Sequence, residues 1–176
     1  MLATRQWVEN VVIGLNLCPF AQGVLRSNDL AINVLSTTDE AVILHYLDEK
    51  ACQLSTLSAQ ATALVVLTTG FESFLDYLDL IDLAEQLFEQ CGLAGEVQIA
   101  SFHPHYQFEG SEYDDMANRT NRSPYPMLHL LQESAVSDAV DRHPDVSAIP
   151  DQNMQRLRNM SEQEWETVSK NTGEMP

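Results

Sequence analysis

One stretch of this chain, Phe102 to His129, gathers most of the side chains able to do chemistry near neutral pH. It opens with His103-Pro104-His105 at the end of an apolar run, and in an extended segment residues i and i+2 face the same way. Both imidazoles could then reach one divalent metal ion, with His129 and Asp114 or Asp115 completing a nitrogen and oxygen shell. Such an ion would activate a bound water for hydrolysis. The bland counterpart is that His103 donates to a loop carbonyl and His105 lies at the surface. With or without metal, His103, Asp115 and His129 are the candidates for acid-base catalysis.

Asn121, Arg122, Ser123 and Tyr125 form the candidate substrate-binding set. A guanidinium is a rigid fork of donors, and Asn and Ser add neutral ones, which together suit the carboxylate or phosphate of a small molecule. Arg122 could equally clasp Asp114, Asp115 or Glu109 and keep the loop ordered. A third candidate is the thiol of Cys18, before Pro19: a cysteine at a helix N-terminus is activated, but this one falls at the expected end of a helix and continues an apolar face. Cys52 and Cys91 read as packing residues, and His45 and His143 as surface.

The elements that must position these groups follow from apolar spacing. Residues 4–17 predict a helix, capped by Thr4, with Trp7, Val8, Val11, Leu15 and Cys18 on one face. Ala31–Leu35 reads as a buried strand, residues 39–55 as a helix, and Ala61–Leu67 as a strand covered on both faces. A long helix from about Glu72 to Cys91 has an apolar half and an acidic half, the latter a solvated face. Glu96–Phe102 is a third strand. Crossovers of this length favour parallel pairing, which brings the turns at Ser36-Thr37-Thr38 and Thr68-Thr69-Gly70 and the long loop to one sheet edge.

Met127–Leu131 reads as a short edge strand, followed by helices at 134–141, 151–159 and from Ser161, where Ser-Glu-Gln-Glu matches a capping box. The expected fold is one α/β domain over residues 1–170, with a mainly parallel sheet of three or four strands and flanking helices, and a disordered tail at 171–176. The alternative is a ferredoxin-like α+β layer.

Composition narrows the partners. Against 26 acidic residues stand 9 basic ones, a formal charge of −17, which repels phosphate backbones and anionic membranes. No Lys or Arg occurs from Ala51 to Asn118, and then Arg119 and Arg122 arrive together in the loop. There is no signal-peptide centre and no run long enough to span a membrane, and the three cysteines lack a paired spacing. These features predict a cytoplasmic protein with reduced thiols that binds neither nucleic acid nor membrane.

Leu15-Asn16-Leu17-Cys18-Pro19-Phe20-Ala21, Ser101-Phe102-His103-Pro104 and Thr120-Asn121-Arg122-Ser123-Pro124-Tyr125-Pro126 with Leu128-His129-Leu130-Leu131 give the chain its most specific motifs. On these it resembles an uncharacterised bacterial family, domain of unknown function 1415. The resemblance implies a small intracellular bacterial protein of unassigned activity and transfers no catalytic residue. Three functions follow from the residues themselves. The first is an enzyme for hydrolysis or group transfer on a small anionic molecule in the 102–129 segment. The second is a module that binds such an anion without turnover, and the third is a thiol oxidoreductase using Cys18.

Overall fold

An unbroken apolar, β-branched run cannot leave either face in water, and Thr62–Leu67 (β2) is buried along its whole length. The computed structural model describes residues 1–57, 61–142, 146–170 and 172, and sets β2 inside a four-stranded sheet. Leu30–Leu35 (β1) pairs with it in parallel, Leu30 opposite Thr62 and Leu35 opposite Leu67. On its other side Met127–Gln132 (β4) runs antiparallel, and Val97–Phe102 (β3) lies antiparallel beyond that. The order is therefore β1-β2-β4-β3.

β1, β2 and β3 point the same way, as their long helical crossovers require, and β4 is inserted between β2 and β3 in the opposite sense. The expected α/β unit of strands and flanking helices is present, but the pairing is mixed rather than mainly parallel, so α+β describes it equally well. Met127–Gln132 is interior rather than an edge. Its two faces carry Leu128 and Leu130 on one side and Met127 on the other, each against its own core.

Helices cover both faces. Glu40–Ser55 (α3) is capped by the Asp39 carboxylate, which accepts the Ala41 and Val42 N–H groups, and Phe74–Gln90 (α4) by Ser73. Ile43, Leu47, Ala51, Leu54, Tyr77, Leu80, Ala84 and Phe88 pack from these helices against Ala63, Val65, Leu67, Leu128 and Leu130. Each of the larger aliphatic and aromatic side chains among them contributes about 1.5–3 kcal/mol relative to exposure. On the opposite face Leu2–Trp7 (α1) runs into a π-helical stretch, Val8–Ile13, and Trp7, Val11, Leu15 and Leu17 cover Leu64, Val66 and Met127. Leu157 of Ile149–Arg158 (α6) and Trp165 of Glu162–Ser169 (α7) complete that core.

The N-terminal helix departs from expectation in three ways. It starts at Leu2, so Thr4 is not a cap but a fully buried residue whose hydroxyl has no partner. It widens into a π turn that closes with Gly14 N–H on the Glu9 carbonyl at 3.1 Å. A Cβ at Gly14 would stand 2.1 Å from the Asn10 carbonyl oxygen, so only glycine fits there. After the turn come Cys18 and an unpredicted short helix, Ala21–Ser27 (α2), with no buried residue.

Glu133–Arg142 (α5) follows β4 directly. The Ser161 capping box is present, with Glu164 N–H on Ser161 Oγ at 3.3 Å and Ser161 N–H on the Glu164 carboxylate at 2.8 Å. Among the described residues no helix is long and apolar enough to cross a membrane. His143 and, apart from Thr172, the tail lie outside the described residues.

Candidate functional site

The carboxyl ends of β1, β2 and β3 and the start of β4 meet at one edge of the sheet, where the turns and the long loop were expected to converge. They do converge, and their polar groups satisfy one another. Ser36 Oγ and Thr69 Oγ1 share a hydrogen bond of 3.1 Å, and Thr68 Oγ1 donates to the Leu35 carbonyl at 3.1 Å. Gly70 has φ +74° and a Cβ there would come 2.8 Å from Thr38 Cγ2, so the two turns touch. The next residue, Phe71, also sits in the left-handed region at φ +61°, a conformation that costs an L-residue about 1–2 kcal/mol.

His103 holds that strained turn. It is fully buried, with its ring against Phe74 and Tyr77. His105 N–H donates to Nδ1 at 2.9 Å, so Nδ1 carries no proton, and the proton sits on Nε2, which donates to the Phe71 carbonyl at 2.8 Å. Burial lowers the pKa of this ring below its ordinary value. Both ring nitrogens are hydrogen-bonded within the loop, as in the bland alternative of a histidine that donates to a loop carbonyl.

The rest of the loop is tied in the same manner. Asn118, fully buried, accepts Phe108 N–H at 3.0 Å and donates to the Glu112 and Tyr113 carbonyls at 2.8 and 3.2 Å. Arg122 is 4% exposed, donates from Nε to the Tyr106 carbonyl at 3.1 Å and from Nη2 to the Tyr113 carbonyl at 2.6 Å, and lies 4.5 Å from the Tyr113 ring centre. The expected clasp is there, but with main-chain oxygens in place of Asp114, Asp115 or Glu109. Desolvation lowers the Arg122 pKa.

Asn121 Nδ2 donates to the Ser101 carbonyl at 3.3 Å, Ser123 Oγ to the Tyr125 carbonyl at 2.6 Å, and the Tyr125 ring packs in the core beneath the N-terminal helix. Trp7 Nε1 donates to the Arg122 carbonyl at 3.0 Å and fastens loop to helix.

Asp115 and Arg119 are half-buried and fasten the loop to the C-terminal helices. Arg158 grips both Asp115 carboxylate oxygens and, with Ala117 N–H, holds that carboxyl down at about 2. Arg119 makes a two-pronged bond to Glu162 at 2.9 Å over the Trp165 ring. His105 is half-buried, with Nδ1 2.8 Å from the Tyr113 hydroxyl.

His129 of β4 stands apart from all of these, on the sheet face that also carries Phe102 of β3. Thr62 Oγ1 donates to the Leu130 carbonyl at 2.6 Å and accepts from His129 Nε2 at 2.7 Å. Burial pushes this histidine down to about 4. The expected metal set of His103, His105 and His129 is therefore not assembled, and among the described residues no three His, Cys, Asp or Glu side chains gather as a metal ion requires.

Cys18 is half-buried, three residues ahead of α2 and separated by a turn from the N-terminal helix. Cys52 and Cys91, expected to pack, are exposed.

Polar groups left over occur elsewhere. A half-open hollow of about 340 Å³ lies where the Asn16–Pro19 corner meets α6, lined by Asn16, Pro19, Ile149, Gln152, Asn153, Gln155, Arg156 and Asn159. Asn16 takes φ +51°, which its short amide tolerates, and this turns the chain so that the Leu15 and Leu17 carbonyls face α6. Arg156 Nη1 donates to the Leu15 carbonyl and Asn153 Nδ2 to the Leu17 carbonyl, the latter at 2.7 Å. Among the described residues the remaining Arg156 donors and the side-chain amides of Asn16, Gln152, Gln155 and Asn159 make no further such contact.

Sequence reasoning passed over these residues because amides carry no charge pattern. The available signal was the density of Asn and Gln in 152–159 and the Leu15–Ala21 motif, two segments far apart in the chain.

No curated protein and no solved structure matches this chain. The model of a family described as protein of unknown function (DUF1415) matches residues 1–167, nearly the full length and all the segments just described, and the chain belongs to that family.

Proposed function

We propose that the protein binds a small anionic molecule in the hollow between Asn16–Pro19 and α6. One observation carries this reading: in a chain of 26 acidic residues, the lining holds a guanidinium and five carboxamides and not one carboxylate. A cation with spare donors, ringed by amides that accept or donate, complements a carboxylate or phosphate bearing further polar groups. Hydrolysis or group transfer on the same anion would need a proton carrier or nucleophile facing it. The lining supplies none that titrates near neutrality, which favours capture without turnover.

The test is calorimetric titration of acetate, citrate and inorganic phosphate into the wild type and Arg156→Gln. At least one anion binds saturably to the wild type, and the substitution weakens it about tenfold or more, the worth of a charge-assisted hydrogen bond pair. Anion binding that is indifferent to Arg156→Gln, or no binding at all, removes the reading.

A further inference from the structure

The two thiols expected to be core residues lie instead on the surface, on neighbouring helices. α3 and α4 each return from the end of one strand to the start of a parallel one, so they run in the same direction, side by side on one face of the sheet. Their C-terminal ends are thus neighbours. Cys52 occupies the last turn of α3 and Cys91 caps α4. Between them stands Asp48, one turn before Cys52, whose Sγ lies 4.0 Å from the Asp48 carboxylate. That same carboxylate, Cys52 and a measure of desolvation all act on the Cys91 thiol, desolvation most, and together raise its pKa. Both cysteines are exposed.

We propose that Cys52 and Cys91 are a reversible dithiol that exchanges with low-molecular-weight disulfides. Cys52, as thiolate, attacks one sulfur of the small disulfide, whose S–S bond breaks and releases one small thiolate. Cys91, as thiolate, then attacks the Cys52 sulfur of the mixed disulfide and displaces the second. The protein loses two electrons and forms one S–S bond, the small disulfide is reduced to two thiols, and the two protons shed by Cys52 and Cys91 end on the leaving thiolates. Asp48 acts as a brake, because a carboxylate beside the pair opposes the thiolate that each step needs. The product joins the C-terminal ends of α3 and α4 and fixes the segment that contains β2.

The experiment treats the full chain with oxidised glutathione, traps free thiols with iodoacetamide, and maps peptides. A Cys52–Cys91 linked peptide with the loss of two hydrogens is expected, with Cys18 alkylated, full reversal by dithiothreitol, and a melting temperature about 5 °C or more above that of the reduced form. Asp48→Asn forms the link several-fold faster, and Cys52→Ser forms no internal link. Glutathione adducts on separate cysteines without a cross-link, or a cross-link through Cys18, overturn the assignment. An unchanged rate in Asp48→Asn overturns the part given to the carboxylate.

Discussion

Two polar regions lean on the same N-terminal helix, the long loop at Trp7 and the α6 hollow at Leu15 and Leu17, and they spend their polar groups in opposite ways. In the loop His103, Asn118, Arg122 and Ser123 are buried and turned onto main-chain groups, so that an irregular excursion becomes as fixed as a helix. In the hollow one guanidinium donor and one amide suffice to pin the corner, and the rest of the lining faces outward. The side chains that promise most chemistry in the sequence are thus the ones most tied to main-chain groups, while the plainer ones of the hollow have fewer partners among the described residues. A conspicuous residue type is a poor guide to function until its partners are known.

The comparison predicts that substitutions in the loop unfold and those in the hollow do not. The largest effect belongs to Asn118→Ala, which strands Phe108 N–H and the Glu112 and Tyr113 carbonyls. It should cost about 4 kcal/mol and lower the melting temperature by roughly 8–16 °C in a thermal scan.

Next comes a pH dependence rooted in His129. Its folded pKa lies near 4, below the ordinary 6.5, so between these values the unfolded chain binds a proton that the folded one refuses. Stability is full above about pH 6.5 and falls by up to about 3 kcal/mol as pH drops to 4. Denaturant titrations across that window read the slope, and His129→Gln should flatten it. Asp115, held down by Arg158, stabilises the fold at all pH values above its ordinary range and loses that contribution only as pH falls toward 2 and the carboxyl protonates.

The smallest and sharpest contrast pairs two arginines. Arg122→Gln should cost about 2 kcal/mol, while Arg156→Gln, which gives up one bond to the Leu15 carbonyl at an exposed side chain, should cost about 1 kcal/mol and lower the melting temperature by roughly 2–4 °C. Equal losses would erase the distinction between strut and ligand.

Much of the scaffold could be read from residue order alone. Continuous apolar character marked β2, the apolar half of α4 did pack, and Ser161 with Glu164 formed its box. α2 escaped notice because it carries Gly23 and buries nothing, and the π turn because a widened helix keeps nearly the same apolar spacing. The interior position of β4 is a long-range property, and the short run Met127–Leu131 by itself predicts only an edge strand. As for the site, the ordered loop was legible, but the destinations of its side chains were not. Whether Arg122 meets a carboxylate or a carbonyl depends on how residues 103–126 fold back, and the types alone do not encode that. The hollow needed two segments that come together only in the folded chain.

The placement of β4 has a consequence for how the protein is made. The strand that joins β2 to β3 is the last of the four to leave the ribosome, so until about residue 132 has emerged the N-terminal βαβ unit offers a bare apolar border to any passing chain. Assembly must wait for a partner that arrives after the whole loop, a non-local closure that favours slow folding and makes nascent chains halted before Met127 prone to stick together.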